Sequence, residues 1–188
     1  VKGGNDLGKI DAIYHEGACS TTTEWDGQYM MANNYEYSKV LLHYCLDRKI
    51  PYFYASSAAT YGDSTIFIEN PKNENPINVY GYSKYLFDQY IRQHESTFES
   101  QVVGFRYFNV YGPREIQTGK YATLIALFKE KIKNGEKLTV VSPGKQKRNF
   151  THIDDTIDAL ILIGKDGHGD EYGIGSPHDF TVLEIGRA

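Results

Sequence analysis

The chain has 188 residues, and its 20 Lys and Arg against 24 Asp and Glu give a formal net charge of −4. With 40% apolar and 23% charged residues, it has the composition of a folded globular domain, and its slight acidity argues against a nucleic-acid partner. No apolar run approaches the ~18 residues of a membrane span, and two cysteines without metal-type spacing or a disulfide framework predict a reducing, cytoplasmic location.

The first half of the chain alternates short apolar segments with segments whose apolar residues recur at helical spacing. The pattern predicts a strand at 10–15, a helix at 29–49, a strand at 52–56, a long loop at 61–78, a helix at 82–98 and a strand at 101–108. Because the strands are nearly all apolar and helices separate them, we expect adjacent parallel strands in a sheet that is covered on both faces.

The second half of the chain is less regular. Its pattern predicts a helix at 123–134, a strand at 138–141, an extended segment at 149–153 and a helix at 154–163 that Asp154 caps. Near the end, Thr181 and Glu184 have the spacing of a capping box that opens a helix. Only four residues follow Glu184, so we expect the natural chain to continue beyond Ala188.

Tyr80 and Lys84 lie four residues apart at the start of a predicted helix and therefore share one face of it. A nearby ammonium favours the phenolate and lowers the pKa of a tyrosine, which makes the phenol usable as a general acid or base. Among 16 tyrosines such a pair also arises by chance, as an exposed lysine beside a half-buried tyrosine.

Small or polar residues follow each of the three predicted strands. These are His15 to Ser20, Ser56 to Gly62 and Arg106 to Arg114. Each segment alone is compatible with an ordinary turn. Because open α/β sheets bind ligands at the carboxyl ends of their parallel strands, the three together predict one crevice.

These residues resemble the extended short-chain dehydrogenase/reductase superfamily, with its NAD-dependent nucleotide-sugar epimerases and dehydratases. The segments at 13–27, 33–35, 54–62 and 78–84 are most similar to its ADP-glycero-manno-heptose 6-epimerases. The resemblance implies an α/β fold: a Rossmann-like three-layer sandwich with a parallel sheet, lacking the N-terminal βαβ unit. Residues 1–112 would belong to the dinucleotide-binding domain. Residues 113–188 would form part of a small substrate-binding region, with a returning strand and helices of the Rossmann domain.

The resemblance also implies a role for individual residues. Tyr80 matches the catalytic acid/base, Lys84 the lysine that lowers its pKa and binds the nicotinamide ribose, and Ser57 the serine that binds the reacting hydroxyl. The positions that match contacts to NAD or NADP are Glu16, Gly17, Ala18, Cys19, Ser20, Asn33, Lys84 and Val110. Asn109 matches a substrate contact, and Arg148 matches an arginine that holds the nucleotide diphosphate, as suits guanidinium geometry. No metal site is predicted.

Two departures from the family pattern bear on the interpretation. The glycine-rich turn that cradles the pyrophosphate is absent from the sequence, so we expect about sixty residues of the family pattern to precede Val1, among them those that choose between NAD and NADP. Heptose epimerases also have a lysine as a second base where this chain has Thr118. Lys120 lies two residues further on and is the candidate to replace it.

The leading functional hypothesis is therefore epimerisation of a nucleotide-activated sugar, by transient oxidation to a ketone and return of the hydride to the other face. A UDP-hexose 4-epimerase is the alternative, and a homo-oligomer is expected. A 4,6-dehydratase is disfavoured, because Ala58 and Ala59 replace the Asp-Glu pair that eliminates water. Two further hypotheses are a non-catalytic dinucleotide-binding member of the superfamily and a polypeptide that is inert as given.

Overall fold

A computed structural model of the chain describes residues 8–116 and 122–187. Thr118 and Lys120, the positions relevant to a second base, lie outside the described residues. Among the helices that are described, none is long and apolar enough to cross a membrane.

The main sheet has four parallel strands in the order β1-β2-β3-β6. They are β1 (Ile13–His15), β2 (Tyr52–Ser57), β3 (Val102–Tyr107) and β6 (Gly169–Ile174). The prediction that the first three are adjacent and parallel is confirmed. The fourth strand, β6, comes from the second half of the chain and returns to this sheet beside β3. The sequence pattern did not predict it, because glycine and charged residues interrupt its run of apolar residues.

Helices cover both faces of this sheet, which confirms the three-layer α/β architecture. The described helices are α1 (Gly27–Met31), α2 (Tyr37–Arg48), α3 (Val79–His94), α4 (Leu124–Lys133), α5 (Ile153–Asp166) and α6 (Val182–Ile185), with a π-helical turn at Ala32–Glu36 that joins α1 to α2. Of these, α2 and α3 pack on one face of the main sheet and α5 on the other. Tyr52 and Tyr54 of β2 pack against α2 and α3. Phe53, on the opposite face because side chains alternate along a strand, packs in the core that α5 covers.

A second sheet of three strands begins directly after β3. Its strands are β4 (Asn109–Tyr111), β5 (Lys147–His152) and β7 (Asp179–Thr181), in the order β4-β5-β7. The long strand predicted at 101–108 therefore ends at Tyr107, and Asn109–Tyr111 pair with β5 instead. The capping box of Thr181 and Glu184 is confirmed at the start of α6.

Two predictions in the second half are wrong. Residues 138–141 form no strand: Leu138 lies against Gly186 and Val140 against Gly144, while Val141 is exposed. The N-cap of α5 is His152, whose side chain accepts a hydrogen bond from the backbone N–H of Asp154. Asp154 itself lies inside the first turn, where an acidic residue stabilises the positive end of the helix dipole.

A buried cluster of charges holds the sheet to α3. We call it the Arg106 cluster; its members are Arg106, Arg92, Glu74, Asp88 and Asp170. The Arg106 guanidinium is fully buried and donates to the carboxylates of Glu74 at 2.7 Å, Asp88 at 3.1 Å and Asp170 at 3.3 Å. Two guanidinium groups face three carboxylates in this cluster. Removing either arginine would therefore leave buried negative charge without a partner.

Candidate active site

The strand-end serine and the tyrosine of the predicted pair meet where β2 and α3 approach each other. Ser57 ends β2, and its hydroxyl accepts a hydrogen bond from the backbone N–H of Ala59 at 3.1 Å. Tyr80 lies in the first turn of α3. The next residue, Gly81, packs so closely on this turn that a Cβ there would lie 2.5 Å from the carbonyl oxygen of Ala59. This close approach holds the start of α3 against the end of β2.

The Tyr80 phenol is influenced by two neighbours from different strand ends. Burial raises the pKa of Tyr80, the Ser57 hydroxyl lowers it, and Cys19 raises it further, with a net shift upward. The sequence analysis predicted the opposite direction, from the charge of Lys84. The structure differs because burial dominates at Tyr80 and because the Lys84 ammonium is bonded elsewhere.

Lys84 reaches the sheet from α3 and is almost fully buried, with 6% of its surface exposed. Its Nζ donates a hydrogen bond to the carbonyl oxygen of Ala55 at 2.7 Å. Burial lowers the pKa of Lys84 to about 8, against the smaller opposing influence of Asp88 and Glu16. The Lys84 ammonium group therefore lies against the carboxyl-terminal part of β2, although burying such a charge costs free energy.

Replacing Lys84 by Met is expected to stabilise the fold at pH 7, because a folded-state pKa of about 8 against the usual 10.5 costs about 3 kcal/mol. The unfolded chain binds the proton more tightly, so the wild-type protein gains stability as the pH rises from 8 to 10.5. The advantage of Lys84→Met should therefore shrink over that range in urea unfolding. Lys9→Met, at an exposed position, is the control; an equal pH dependence in both variants would contradict the assignment.

Two clefts meet at Tyr80. The larger has a volume of about 730 Å³ and is lined by Ser57, Tyr80 and Arg148, among others. The smaller, of about 480 Å³, is lined by Ser20, Tyr80 and Val110, among others. The residues that line both clefts are Thr22, Tyr80, Phe108 and Asn109. A molecule in one cleft and a molecule in the other would therefore approach each other at the Tyr80 hydroxyl.

The structure places the predicted substrate residues on the larger cleft. Asn109 is held by a hydrogen bond from its Nδ2 to the carbonyl oxygen of Asn149 at 2.7 Å. Arg148 lies exposed on β5 and donates to the carbonyl oxygen of Lys147 at 3.0 Å; Arg148 and Lys147 both line the larger cleft. Asp179 also lines this cleft, and the sequence analysis did not single it out.

The predicted cofactor residues at 16–20 form a loop directly after β1, here called the strand-end loop. Glu16 accepts a hydrogen bond from the Tyr107 hydroxyl at 3.1 Å, while Gly17 and Ala18 are exposed. Asn33 donates to the carbonyl oxygen of Tyr29 within its own helix. Its neighbour Asn34 is the buried one, with 1% of its surface exposed, and bonds the strand-end loop. The sequence does not distinguish which of these two adjacent asparagines faces the protein interior.

A family model described as the NAD dependent epimerase/dehydratase family matches residues 5–175. The chain belongs to this family. Among solved structures, the ADP-L-glycero-D-manno-heptose-6-epimerase of Helicobacter pylori is 32% identical, with a TM-score of 0.83 over 94% of this chain and 56% of that one. A UDP-glucuronic acid 4-epimerase of Bacillus cereus, in complex with UDP-glucuronic acid and NAD, is 26% identical, with a TM-score of 0.80 over 93% of this chain and 57% of that one.

A third structure shares the fold alone. The UDP-N-acetylglucosamine 4-epimerase of Methanobrevibacter ruminantium is 24% identical, with a TM-score of 0.87 over 94% of this chain and 58% of that one. The chain thus spans less than three fifths of the length of each of these three relatives.

The residues that line the smaller cleft fit the nicotinamide end of a dinucleotide. Lys84 is not among the lining residues; it lies one turn after Tyr80 in α3, and its Nζ uses one of three N–H groups on Ala55. The Ser20 hydroxyl and the backbone of β4 at Val110 add polar and apolar contacts along the same wall. A polar ribose beside a flat amide ring requires this mixture of donors and apolar surface.

Proposed function

We propose that the chain carries the catalytic centre of an NAD(P)-dependent nucleotide-sugar epimerase, with ADP-glycero-manno-heptose as the first substrate to test. The observation that carries this proposal is the position of Tyr80, beside Ser57 and at the junction of two clefts. One cleft has the volume and the cationic end suited to a nucleotide sugar, and the other suits a nicotinamide riboside.

In this proposal the bound dinucleotide supplies a reversible hydride acceptor, and the protein supplies proton transfer and orientation. Ser57 binds the reacting sugar hydroxyl, and Tyr80 removes its proton and later returns one. Lys84 is proposed to hold the ribose and to bring a positive charge toward the phenol, although in this structure its ammonium is bonded to Ala55. Because burial raises the pKa of Tyr80 in this structure, the phenol is neutral before the reaction and must be assisted by these neighbours to act as a base.

The nucleotide end is proposed to lie at the cationic end of the larger cleft. Arg148 and Lys147 line that end and suit the two phosphates, as a planar fork and as a point charge respectively. Asn109 lines both clefts and is proposed to contact the substrate.

A 4,6-dehydratase remains disfavoured by the residues that follow Ser57 in the larger cleft. Ala58 and Ala59 follow Ser57 and line the larger cleft with methyl groups, where water elimination needs an acid and a base. A 4-epimerase acting on a UDP-hexose is the second candidate, since structures of this kind occur among the similar folds. Either NAD or NADP is compatible with the contacts proposed here, which involve only the nicotinamide end.

The substrate is tested by incubating the full-length protein with ADP-heptose and, separately, with UDP-glucose, and following the stereochemistry by NMR. We expect inversion at C6 of the heptose. If Lys120 is the second base, Lys120→Ala should reduce this inversion by at least the 10²-fold typical of a lost proton-transfer group. Inversion at C4 of the hexose with no change in the heptose would reject the heptose assignment while leaving the family and Tyr80 in place.

We also propose that the protein forms a homo-oligomer in the cytoplasm. Free thiols at Cys19 and Cys45 support a reducing compartment. The outer face of α2 supports self-association, because Tyr37 and Val40 are each 51% exposed on it. For the domains, we propose that residues 1–112 bind the dinucleotide and that residues 113–188 add the substrate side of the cleft together with β6 and α5.

A further inference from the structure

Asp88 lies one helical turn after Lys84 on α3 and is fully buried. Its Oδ1 accepts a hydrogen bond from the Tyr54 hydroxyl at 3.0 Å, and its Oδ2 accepts one from the Ser56 hydroxyl at 2.6 Å. Residues four apart share one face of a helix, so Lys84 and Asp88 face the same strand. The Lys84 Nζ bonds the carbonyl oxygen of Ala55, which lies between Tyr54 and Ser56. Two adjacent turns of α3 thus hold three successive residues of β2.

The bonded segment of β2 ends one residue before Ser57. On the other side of this serine, its hydroxyl accepts from the backbone N–H of Ala59, so the chain is held both before and after Ser57. Tyr80, Lys84 and Asp88 follow one another at intervals of four residues along α3. The position of the Ser57 hydroxyl relative to the Tyr80 phenol therefore depends on how α3 is attached to β2.

The hydrogen bonds identify Asp88 as an ionised carboxylate. Besides the two hydroxyls, the Nη2 of Arg106 donates to its Oδ2 at 3.1 Å, and Arg106 is the partner of Ser56 in the register of β2 with β3. An ionised carboxylate only accepts hydrogen bonds, so three donors on two oxygens suit it without a proton. Burial and Asp170 raise the pKa of Asp88, whereas Arg106 and Ser56 oppose the rise. The other charged groups near Asp88 come from α3, β6 and the loop before α3; they are Arg92, Asp170 and Glu74.

Lys84 carries a buried positive charge that a negative neighbour stabilises. Burial lowers the pKa of Lys84 to about 8, and Asp88 opposes this more strongly than Glu16 of the strand-end loop does. His15, at the end of β1, is neutral at pH 7, because burial and the charge of Lys84 lower its pKa to about 4. Among the described residues, Asp88 is therefore the main anion that acts on Lys84.

We propose that Asp88 is a positioning residue of the candidate active site, a proposal that rests on the proposed function. It holds Ser56, and with it Ser57, against α3, and it is the counter-charge of the Lys84 ammonium on the same helix face. Because Lys84 is proposed to hold the ribose, loss of the Asp88 charge should weaken dinucleotide binding only at pH values where Lys84 has lost its proton. A merely structural defect would weaken binding at every pH.

The first test is an NMR titration of the Cε–H groups of isotope-labelled lysine in the full-length protein, without cofactor. Lys84→Met assigns the Lys84 signal by its loss. Asp88→Asn keeps the size of the side chain and removes its charge, so the Lys84 signal should titrate about one pH unit lower than in the wild-type protein. Asp170→Asn is the matched control: it also leaves two guanidinium groups against two carboxylates, and it should leave the Lys84 midpoint unchanged.

The second test measures dinucleotide affinity of the same proteins across this pH range. In the wild-type protein, affinity should fall as the pH rises past the Lys84 midpoint, and in Asp88→Asn the fall should begin about one pH unit lower. At pH 8 the variant should therefore bind about fivefold more weakly than the wild-type protein. At pH 6, where Lys84 is protonated in both, the two proteins should bind about equally.

Ser56→Ala tests the positional half of the proposal. It removes the hydroxyl that joins the end of β2 to Asp88 and keeps the Asp88 charge. We expect kcat to fall about tenfold, because the Ser57 hydroxyl is displaced from its position beside Tyr80. The Lys84 midpoint and the dinucleotide affinity should stay at their wild-type values. If Asp88→Asn does not fold, this variant decides, and a wild-type kcat in Ser56→Ala rejects the proposal.

Three other outcomes would overturn the proposal. These are an unchanged Lys84 midpoint in Asp88→Asn, an equal change of the midpoint in Asp170→Asn, or a loss of dinucleotide affinity in Asp88→Asn that is the same at every pH. A wild-type protein that converts no nucleotide sugar would instead reject the proposed function. The titration would still decide whether Asp88 is the counter-charge of Lys84.

Discussion

Replacement of Tyr80 by Phe is expected to lower turnover of the full-length protein by about 10²–10⁴-fold, the range typical of a lost general acid/base. Dinucleotide affinity should stay close to the wild-type value, because Tyr80 lies at the junction of the clefts and its phenol is proposed to bond the reacting hydroxyl, not the dinucleotide. The ring itself is retained, so the packing of Tyr80 against its neighbours is preserved. Steady-state turnover and equilibrium dinucleotide binding are the two measurements.

Lys84→Met is the matched comparison, and it should damage both properties. Its ammonium is assigned to the ribose as well as to the phenol, and it is nearly buried beneath the end of β2. Because Lys84→Met is also expected to be the more stable protein at pH 7, any loss of affinity is not a folding defect. Equal loss of dinucleotide affinity in Tyr80→Phe and Lys84→Met would reject the division of roles.

Replacement of Arg106 by Met is expected to destabilise the protein by about 3–5 kcal/mol, the cost of breaking a buried ion pair by removing one partner. Arg106 is fully buried, and three carboxylates accept bonds from its Nη2. Within the cluster, Arg92 is then the one cation left against three carboxylates. Already in the wild-type protein, burial and the neighbouring Asp170 raise the pKa of Asp88.

Two further measurements test the charge explanation against a simple loss of packing. Without Arg106, the buried carboxylates bind protons more tightly in the folded than in the unfolded protein, so the deficit relative to wild type should shrink as the pH falls from 7 to 5. Adding Asp88→Asn to Arg106→Met should restore part of the stability at pH 7. Glu99→Gln, which removes an exposed pair with Lys49, should leave the urea midpoint unchanged. A pH-independent deficit would contradict the assignment.

The sequence alone was sufficient for the architecture of the first half of the chain. Buried parallel strands must be apolar throughout and the helices that cover them must be amphipathic, so the segments at 52–56 and 82–98 are distinguishable by pattern. The resemblance added the identity of the site, since Ser57, Tyr80 and Lys84 are recognised by spacing and by their position after a strand. The family match over residues 5–175 confirms the family, while the roles of these three residues stay predictions.

The tertiary structure decided the features that depend on which groups surround a residue. Spacing along a helix predicted a lowered pKa for Tyr80, but burial and the bond from Lys84 to Ala55 determine its direction. Asn33 and Asn34 are indistinguishable in sequence, and a π-turn selects the second. The Arg106 cluster joins residues up to 96 positions apart, from Glu74 to Asp170. Local pattern reports only the periodicity of a segment, whereas desolvation and charge pairing depend on neighbours brought by the rest of the chain.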